Sequence, residues 1–399
     1  MLNILGINIS QLKKTKVIEK IDSYLKSDNS HYIITPNPEI ILKAIGKDEE
    51  YFHVLNQANI SIADGFGIKL AGWLKLENTP RITGAGLVLE ILSLLEDSKK
   101  KVLVLNWENG LSTSLEIEKF IKKKYKNLKL KVINCDKLGK NLNYDEINKF
   151  SADFLFVNFG APFQEKFIFH NKNKFNNLKC AIGVGGAFDF LTGKIKRAPK
   201  ILRLLGLEWL WRLLLQPKRY KRILNATVVF FYKFLLWHFI TPHFYRPNVV
   251  CMTYKKDEER FKILIVKRSD LENHWQLPQG GTDGENLENA GIRELNEELN
   301  SDKFIFKKSF KNLHKYLFDN SRNGTTGIKS GFITGYKGQK QGLIIAKFTG
   351  NDSEIKVNFF EHSKWAWVED SNLIEKVHEC RKKSAKIFIE KFNKIKTEL

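Results

Sequence analysis

The sequence predicts two α/β units in series, joined by a basic, aromatic-rich stretch. Three observations predict this. Short apolar runs alternate with polar, helix-length segments from residue 1 to about 200, the signature of a largely parallel sheet with crossing helices. Residues 203–243 then mix arginine and lysine with leucine, tryptophan and phenylalanine. Beyond them, His274 to Asn300 reads as a strand end, a glycine-rich turn and a helix. A chain of 399 residues is too long for one ordinary core. The expected divisions are 1–202, 203–243 and 244–399.

In the first unit the expected strands are His31–Thr35, Ile60–Ala63, Lys101–Leu105, Leu128–Ile133, Asp153–Asn158 and Cys180–Val184. Helices such as Leu87–Asp97 and Leu115–Tyr125 fall between them. The arrangement is Rossmann-like. Ligands bind such sheets at the carboxyl ends of the strands. Four turns fall there, opened by Thr35-Pro36-Asn37-Pro38-Glu39, Asp64-Gly65-Phe66-Gly67, Gly160-Ala161-Pro162-Phe163-Gln164 and Gly183-Val184-Gly185-Gly186. Singly, each is an ordinary turn. Together, four turns ending strands of one sheet predict a shared cleft.

The same segments, with R-I-T-G at Arg81, G-K-I-K-R-A-P and G-L-E-W-L-W-R-L, occur in an order that resembles the WecG/TagA/CpsF glycosyltransferase family over roughly residues 1 to 225. The resemblance implies inverting transfer of an N-acetylmannosamine-type sugar from a UDP-sugar to a polyprenyl-diphosphate-linked acceptor, without a catalytic metal. Members serve cell-surface polysaccharide or teichoic acid assembly. Such a displacement needs a base for the acceptor hydroxyl and polar or cationic groups for the leaving diphosphate. Asp64 matches the family's proposed base. Thr35, Asn37 and Gln164 match polar pocket residues, and Arg81 matches a phosphate or sugar contact. Gly86 stands where the family often has Asp, and Asn106-Trp107 replaces a commonly glycine-rich turn. Both departures bear on the choice of donor.

In residues 203–243, Arg203, Arg212, Lys218, Arg219, Lys221 and Arg222 punctuate leucines and tryptophans, and the apolar run Ala226 to Ile240 carries Lys233 and His238. That run falls short of the roughly 20 residues a membrane span needs. Basic and aromatic residues among apolar ones predict a helix lying in the membrane interface; a pair of core helices is the competing reading. Arg212, Arg219 and Arg222 are the candidate contacts to anionic lipid or to a lipid diphosphate. The net charge of +22 suits phosphate-bearing partners, although a lysine-rich composition alone would also produce it. No signal peptide is evident at the N-terminus. The expected location is cytoplasmic, peripheral to the inner face of the plasma membrane. The four cysteines form no C-x-x-C and read as isolated reduced thiols, neither a zinc site nor a disulfide frame.

In the last part, Glu294, Glu297 and Glu298 stand at i, i+3 and i+4, so their carboxylates share one helical face. A solvated acidic face is the plain reading of such a run. The ordered glycine loop and Arg293 argue instead for a hard-cation site. Glu285, then seven residues, then Arg293-Glu294-Leu295-x-Glu297-Glu298 resembles the Nudix box. The loop from Gly280 is one residue shorter than in that box, and Asn300 replaces its glycine. Arg246-Pro247-Asn248-Val249, Trp275-Gln276-Leu277-Pro278-Gln279-Gly280-Gly281, Gly338-Gln339-Lys340-Gln341 and Glu361-x3-Trp365 extend the likeness to the dinucleoside polyphosphate hydrolase and RNA pyrophosphohydrolase branch. The resemblance implies an α/β/α Nudix domain that hydrolyses a nucleoside diphosphate derivative with magnesium or manganese. Glu294, Glu297, Glu298 and Glu361 would be the metal ligands, with Glu294 also catalytic. Gly280, Glu285 and Arg293 would support the box, and Gln339 and Lys340 would contact substrate. Strands at Lys262–Arg268 and Leu343–Phe348 and one basic helix from Ile374 to Lys396 complete the expected unit. A bifunctional enzyme follows, compatible with homo-oligomerisation. The rival readings are a Nudix module that only senses nucleotide, and an RNA-processing Nudix protein with an inert N-terminal scaffold.

Overall fold

The computed structural model describes residues 1–46, 48–199, 201–202, 206–258, 260–318 and 335–399, with Arg212 and Arg219 described in their backbone only. The chain divides into two compact units, Met1–Phe234 and Leu235–Leu399. The division falls inside the stretch 203–243, which the sequence set apart as a segment of its own.

The first unit is built on a six-stranded sheet of β3 (His31–Ile34), β4 (Ile60–Ser61), β5 (Lys101–Trp107), β6 (Lys129–Cys135), β7 (Phe154–Asn158) and β8 (Cys180–Gly183). Its order is β4-β3-β8-β7-β5-β6 and every pairing is parallel. All six expected strands are in it. β7 is buried at every position, as a strand covered on both faces must be, and its run Phe-Leu-Phe-Val is apolar throughout for that reason. The helix Gly84–Asp97 packs Leu87, Val88, Ile91, Leu92 and Leu95 on Val102, Val104, Phe154 and Phe156. A small antiparallel hairpin, β1 (Leu2–Ile4) and β2 (Ile7–Ile9), precedes the sheet.

The aromatic-rich stretch ends in one helix, Tyr220–His243, of 24 residues. By length and composition it could cross a membrane, which the shorter apolar run of the sequence did not suggest. Only 11% of its most apolar window is buried, so a core helix is the wrong description. Phe230 and Phe234 are its buried side chains. Leu224, Val228, Tyr232, Leu235 and Phe239 are exposed, and their spacing puts them on one stripe.

The second unit holds a mixed sheet of β9 (Tyr245–Asp257), β10 (Arg260–Arg268), β11 (Trp275–Gln276), β12 (Gln279–Gly281), β13 (Phe304–Leu317), β14 (Gly338–Phe348) and β15 (His362–Glu369). Its main path is β11-β10-β9-β14-β13, with β12 on β9 and β15 on β10. Alternate residues of β14 serve two cores. Ile344 and Ala346 join Ala290, Leu295 and Leu299 of the helix Leu287–Leu299. Leu343 and Ile345 join Phe388, Ile389 and Phe392 of the helix Glu379–Asn393. The layers are therefore α/β/α. The expected single helix from Ile374 to Lys396 is instead two, Leu373–Lys376 and Glu379–Asn393. His378 breaks it: its backbone is extended at ψ 148, and its side chain caps the second helix by accepting from Cys380 N.

Candidate active sites

A cleft of about 1080 Å³ opens in the first unit, lined by Thr35, Asp64, Trp107, Asn158 and Gly185. These residues lie at the carboxyl ends of β3, β4, β5, β7 and β8, where a parallel sheet presents its ligand site. Asn37, Arg81 and Gln164 line the same cleft, so all five residues singled out in this unit meet there. One wall is the apolar helix, through Arg222, Ile223, Ala226, Thr227 and Phe231.

Each of the five has a defined setting. Asp64 is half-buried, its backbone N–H donating to Pro36 O at 2.9 Å. A Cβ added to Gly84 would lie 3.8 Å from Asp64 Oδ2, so the carboxylate sits beside the first turn of the Gly84–Asp97 helix, where the helix dipole favours a negative charge. Thr35 is buried at the end of β3. Asn37 caps the helix Pro38–Ala44, its Oδ1 accepting from Ile40 N at 3.0 Å. That leaves its Nδ2 as the group able to serve a substrate.

Gln164 is committed differently. Its Oε1 accepts from Gly160 N at 3.1 Å and from Gly185 N at 2.8 Å, and its Nε2 donates to Glu165 Oε1 at 2.7 Å. It thus ties the turn after β7 to the turn after β8. Glu165 is buried and also accepts from Tyr51 Oη at 3.1 Å. Burial pushes the Glu165 carboxyl pKa up despite those two hydrogen bonds. Gln164 is accordingly a clamp that shapes the cleft, with both acceptor positions of its Oε1 engaged and one Nε2 hydrogen left over.

Three cations of the cleft, Arg81, Arg222 and Lys43, are paired with carboxylates. Arg81 donates to Glu208 Oε2 at 3.0 Å. Arg222 forks onto Glu39, from Nη2 to Oε2 at 2.8 Å. Burial would raise the Glu39 pKa, but hydrogen bonds and charge from Arg222, then Lys43, outweigh it and hold the carboxyl below its ordinary value. Arg197 also lines the cleft and donates to Thr83 Oγ1 at 3.2 Å. Sequence reading passed over Arg197, Glu39 and Glu208, although each stands in one of the quoted motifs. The side chains of Arg212 and Arg219 lie outside the described residues.

In the second unit the glycine loop and the acidic helix meet as the spacing predicts. Asn286 caps the helix Leu287–Leu299 through Asn289 N at 2.8 Å. Asn300 ends it in the left-handed region at φ 48, doing the work of the glycine it replaces. Glu294 and Glu298 are buried, whereas Glu297 is half exposed. Arg293 compensates the cluster. It reaches Glu285, Glu294 and Glu297, each at 2.9 Å, and donates to Gly281 O at 2.8 Å. Burial alone would lower its pKa; the surrounding glutamates push it up instead. Gly280 runs so close to Glu294 that a Cβ there would strike the carboxylate.

Glu361 follows the same cluster. One donor atom each from Glu298, Glu361 and His362 lies within 4.8 Å of the others, and Asn358 bridges Glu361 to the Glu297 carbonyl at 3.4 and 3.2 Å. The buried His362 was not foreseen; it is the first unspecified position of the quoted Glu361-x3-Trp365 motif. Lys340 has the parity of Ile344 and so faces the acidic helix, but Gln339 has the parity of Leu343 and faces the other way. Gln339 is buried and accepts from Tyr316 Oη, whose oxygen accepts from Arg381 at 2.9 Å. Gln339 is thus placed apart from the carboxylates. Gln341 donates to Gln279 Oε1 at 2.8 Å, binding β14 to the loop of the box.

A cleft at the carboxyl edge of a parallel sheet with an acid beside it, followed by a glutamate-bearing helix on a mixed sheet, defines an enzyme with a transferase domain and a Nudix hydrolase domain. Residues 2–243 match the glycosyl transferase WecG/TagA/CpsF family, and residues 244–388 match the NUDIX domain. The chain belongs to the WecG/TagA/CpsF glycosyltransferase family.

It is similar to the N-acetylglucosaminyldiphosphoundecaprenol N-acetyl-beta-D-mannosaminyltransferase of Staphylococcus aureus strain MRSA252, 32% identical over 58% of this chain and 91% of that protein. The Bacillus subtilis strain 168 enzyme of the same name is 34% identical over 51% of this chain and 78% of its own length. Among solved structures, a binary complex of Caenorhabditis elegans Ap4A hydrolase is 19% identical and covers 39% of this chain and 99% of that one, with a TM-score of 0.29.

Proposed function

We propose that the chain is bifunctional. Its first domain transfers an N-acetylmannosamine-type sugar from a UDP-sugar to a polyprenyl-diphosphate-linked N-acetylglucosamine at the cytoplasmic face of the plasma membrane. The observation that carries this reading is the convergence of Thr35, Asn37, Asp64 and Arg81 on one cleft walled by an apolar helix. Asp64 would take the acceptor hydroxyl proton as that oxygen attacks the anomeric carbon and UDP departs. Arg81 and Arg197 would offset the charge developing on the diphosphate. The exposed stripe of Leu224, Val228 and Tyr232 would rest in the lipid interface from which a lipid-linked acceptor is drawn.

The second domain would hydrolyse a nucleoside diphosphate derivative. Glu294, Glu297, Glu298 and Glu361 offer only hard oxygen donors, a set that fits magnesium or manganese. Two of them are buried against a loop with no room for a side chain, which favours a built cradle over a solvated acidic face. A bound ion would neutralise diphosphate charge and ease deprotonation of the attacking water. Glu294 would hold that water's proton, Arg293 would keep the carboxylates aligned, and Lys340 would contact the substrate phosphates.

The test is one preparation assayed two ways: UDP-N-acetylmannosamine with a lipid-diphosphate N-acetylglucosamine acceptor, and a panel of dinucleoside polyphosphates, nucleotide sugars and triphosphate-ended RNA with magnesium or chelator. Turnover in both assays is the expected result. Tight nucleotide binding with no turnover across the panel would make the second domain a sensor instead.

A further inference from the structure

Cys380 is not the isolated thiol its sequence neighbours suggest. His274 lies between β10 and β11, its carbonyl accepting from Arg268 N at 3.0 Å. His378 caps the Glu379–Asn393 helix and is held to the same hairpin, its N–H donating to Trp275 O at 2.9 Å. The two imidazole rings stack with centroids 4.3 Å apart. His378 Nδ1 is 3.2 Å from Cys380 Sγ. One donor atom from each of the three residues lies within 4.8 Å of the other two. His274 is 0% exposed, and neither of its ring nitrogens makes a hydrogen bond of good geometry; the Gln276 side chain is the polar group that faces it. Buried polar atoms are rarely left so, and each such case wants an explanation.

We propose that His274, His378 and Cys380 bind a thiophilic divalent cation of the zinc type, at a site separate from the glutamate cluster. Two imidazoles and a thiolate are a zinc donor set, and three protein ligands leave a fourth position for water. With ordinary zinc bond lengths, tetrahedral geometry puts sulfur and nitrogen about 3.5 Å apart. The His378 Nδ1–Cys380 Sγ pair already has that spacing to within a few tenths of an ångström, and on binding the ion Nδ1 would give up its cap hydrogen bond from Cys380 N. His274, whose ring stacks face to face on that of His378, has to turn so that a ring nitrogen points at the ion, a side-chain rotation. Binding replaces the Cys380 S–H bond with an S–metal bond and releases the proton to solvent. Arg268 and Arg381 act electrostatically on both His274 and Cys380. They favour the thiolate and oppose a bare cation; the fork from Arg268 to Asp270, at 2.8 and 2.6 Å, reduces that opposition. An occupied site would staple the β10–β11 hairpin to the start of the terminal helix.

The experiment strips the full-length protein with chelator, then titrates cobalt and zinc in excess magnesium, which holds the oxygen-donor site. The expected result is a single equivalent of cobalt giving a thiolate-to-metal charge-transfer band, abolished by stoichiometric zinc. Cys380→Ser should remove the band and weaken zinc binding at least ~10-fold, and His378→Gln should weaken binding while the band survives. Glu298→Gln, at the other cluster, should leave the band unchanged. A folded wild-type protein with no such band, or zinc affinity unchanged in both Cys380→Ser and His378→Gln, would overturn the proposal. The wild-type spectrum decides even where a variant fails to fold.

Discussion

Arg222 closes a two-pronged fork on Glu39 across 183 residues of sequence, with Nε 3.2 and 3.3 Å from the two carboxylate oxygens and Nη2 at 2.8 Å. Glu39 lies in the first turn of the helix Pro38–Ala44 that follows β3, and Arg222 in the apolar helix that walls the cleft. The pair therefore fastens the helix to the rim of the transferase site. Because the folded Glu39 carboxyl titrates below its ordinary value, the fork's contribution is complete above the unfolded pKa of about 4.5. It is lost as pH falls through the lower folded value. Amide exchange in Tyr220–Phe234 should accelerate as pH is lowered through that window, after correction for intrinsic rates, and Glu39→Gln should flatten the profile. An identical profile in wild type and variant would count against the fork as the fastening.

Asp64→Asn should abolish sugar transfer and leave nucleotide hydrolysis and the circular dichroism spectrum unchanged. The variant keeps the shape of the side chain and removes only its basicity. The loss should reach ~10²-fold or more, the usual contribution of a positioned base. Transfer at the wild-type rate would remove Asp64 from that role.

The apolar stripe makes a prediction about lipid. Val228→Glu with Tyr232→Glu should release the protein from vesicles of anionic phospholipid in a flotation assay. Raising the salt concentration should weaken wild-type binding only in part. Basic residues near the surface contribute about 1 kcal/mol each and are screened, whereas apolar burial is not. Complete release by salt alone would shift the anchor from the stripe to the arginines and lysines.

Glu298→Gln should cut metal-dependent hydrolysis by roughly 10²-fold or more while nucleotide binding persists. Gly280→Ala should be as damaging without removing any charge, because its Cβ would enter the space of the Glu294 carboxylate. Full activity in Gly280→Ala would show that the loop and Glu294 do not meet in solution.

Gly291→Ala sets two effects against each other. Alanine favours a helix interior by about 1 kcal/mol over glycine. Against this, its Cβ would overlap Ile344 of β14 along most of that side chain, and overpacking costs about 1–3 kcal/mol. Overpacking should win, lowering the melting temperature of the second domain by a few degrees in calorimetry. A rise would mean that Ile344 has room to turn.

Much of this was legible in the sequence, for definite reasons. The inner strands of the parallel sheet announced themselves because strands buried on both faces are continuously apolar, and the turns that follow carry the polar residues of the cleft; the edge strand β6, with Lys129, Lys131 and Asn134 among its apolar residues, was legible from its place in the alternation. The Glu294-to-Glu298 face was legible because helical spacing is a local property. Other features were not local. The β1–β2 hairpin escaped because its turn puts Leu5 at φ 53, before Gly6 at φ 83; leucine is not a residue that advertises a left-handed turn. The break at His378 lay hidden in an otherwise helical pattern. The pairings Arg81–Glu208 and Arg222–Glu39 join residues far apart in sequence, so both arginines read as free phosphate contacts until the fold brought their partners to them. The clamping role of Gln164 was not legible because the hydrogen bonds from Gly160 N and Gly185 N to its Oε1 form only in the fold.

Arg293 touches three glutamates of the hydrolase box and a loop carbonyl. The acidic residues therefore arrive with a resident counter-charge and do not depend on an ion to keep them from repelling one another. If hydrolysis runs on a bound divalent ion, as proposed, a shortage of such ions would leave this domain folded but idle, ready to resume work on resupply without new synthesis. Abundance of the polypeptide and rate of hydrolysis would in this way be uncoupled.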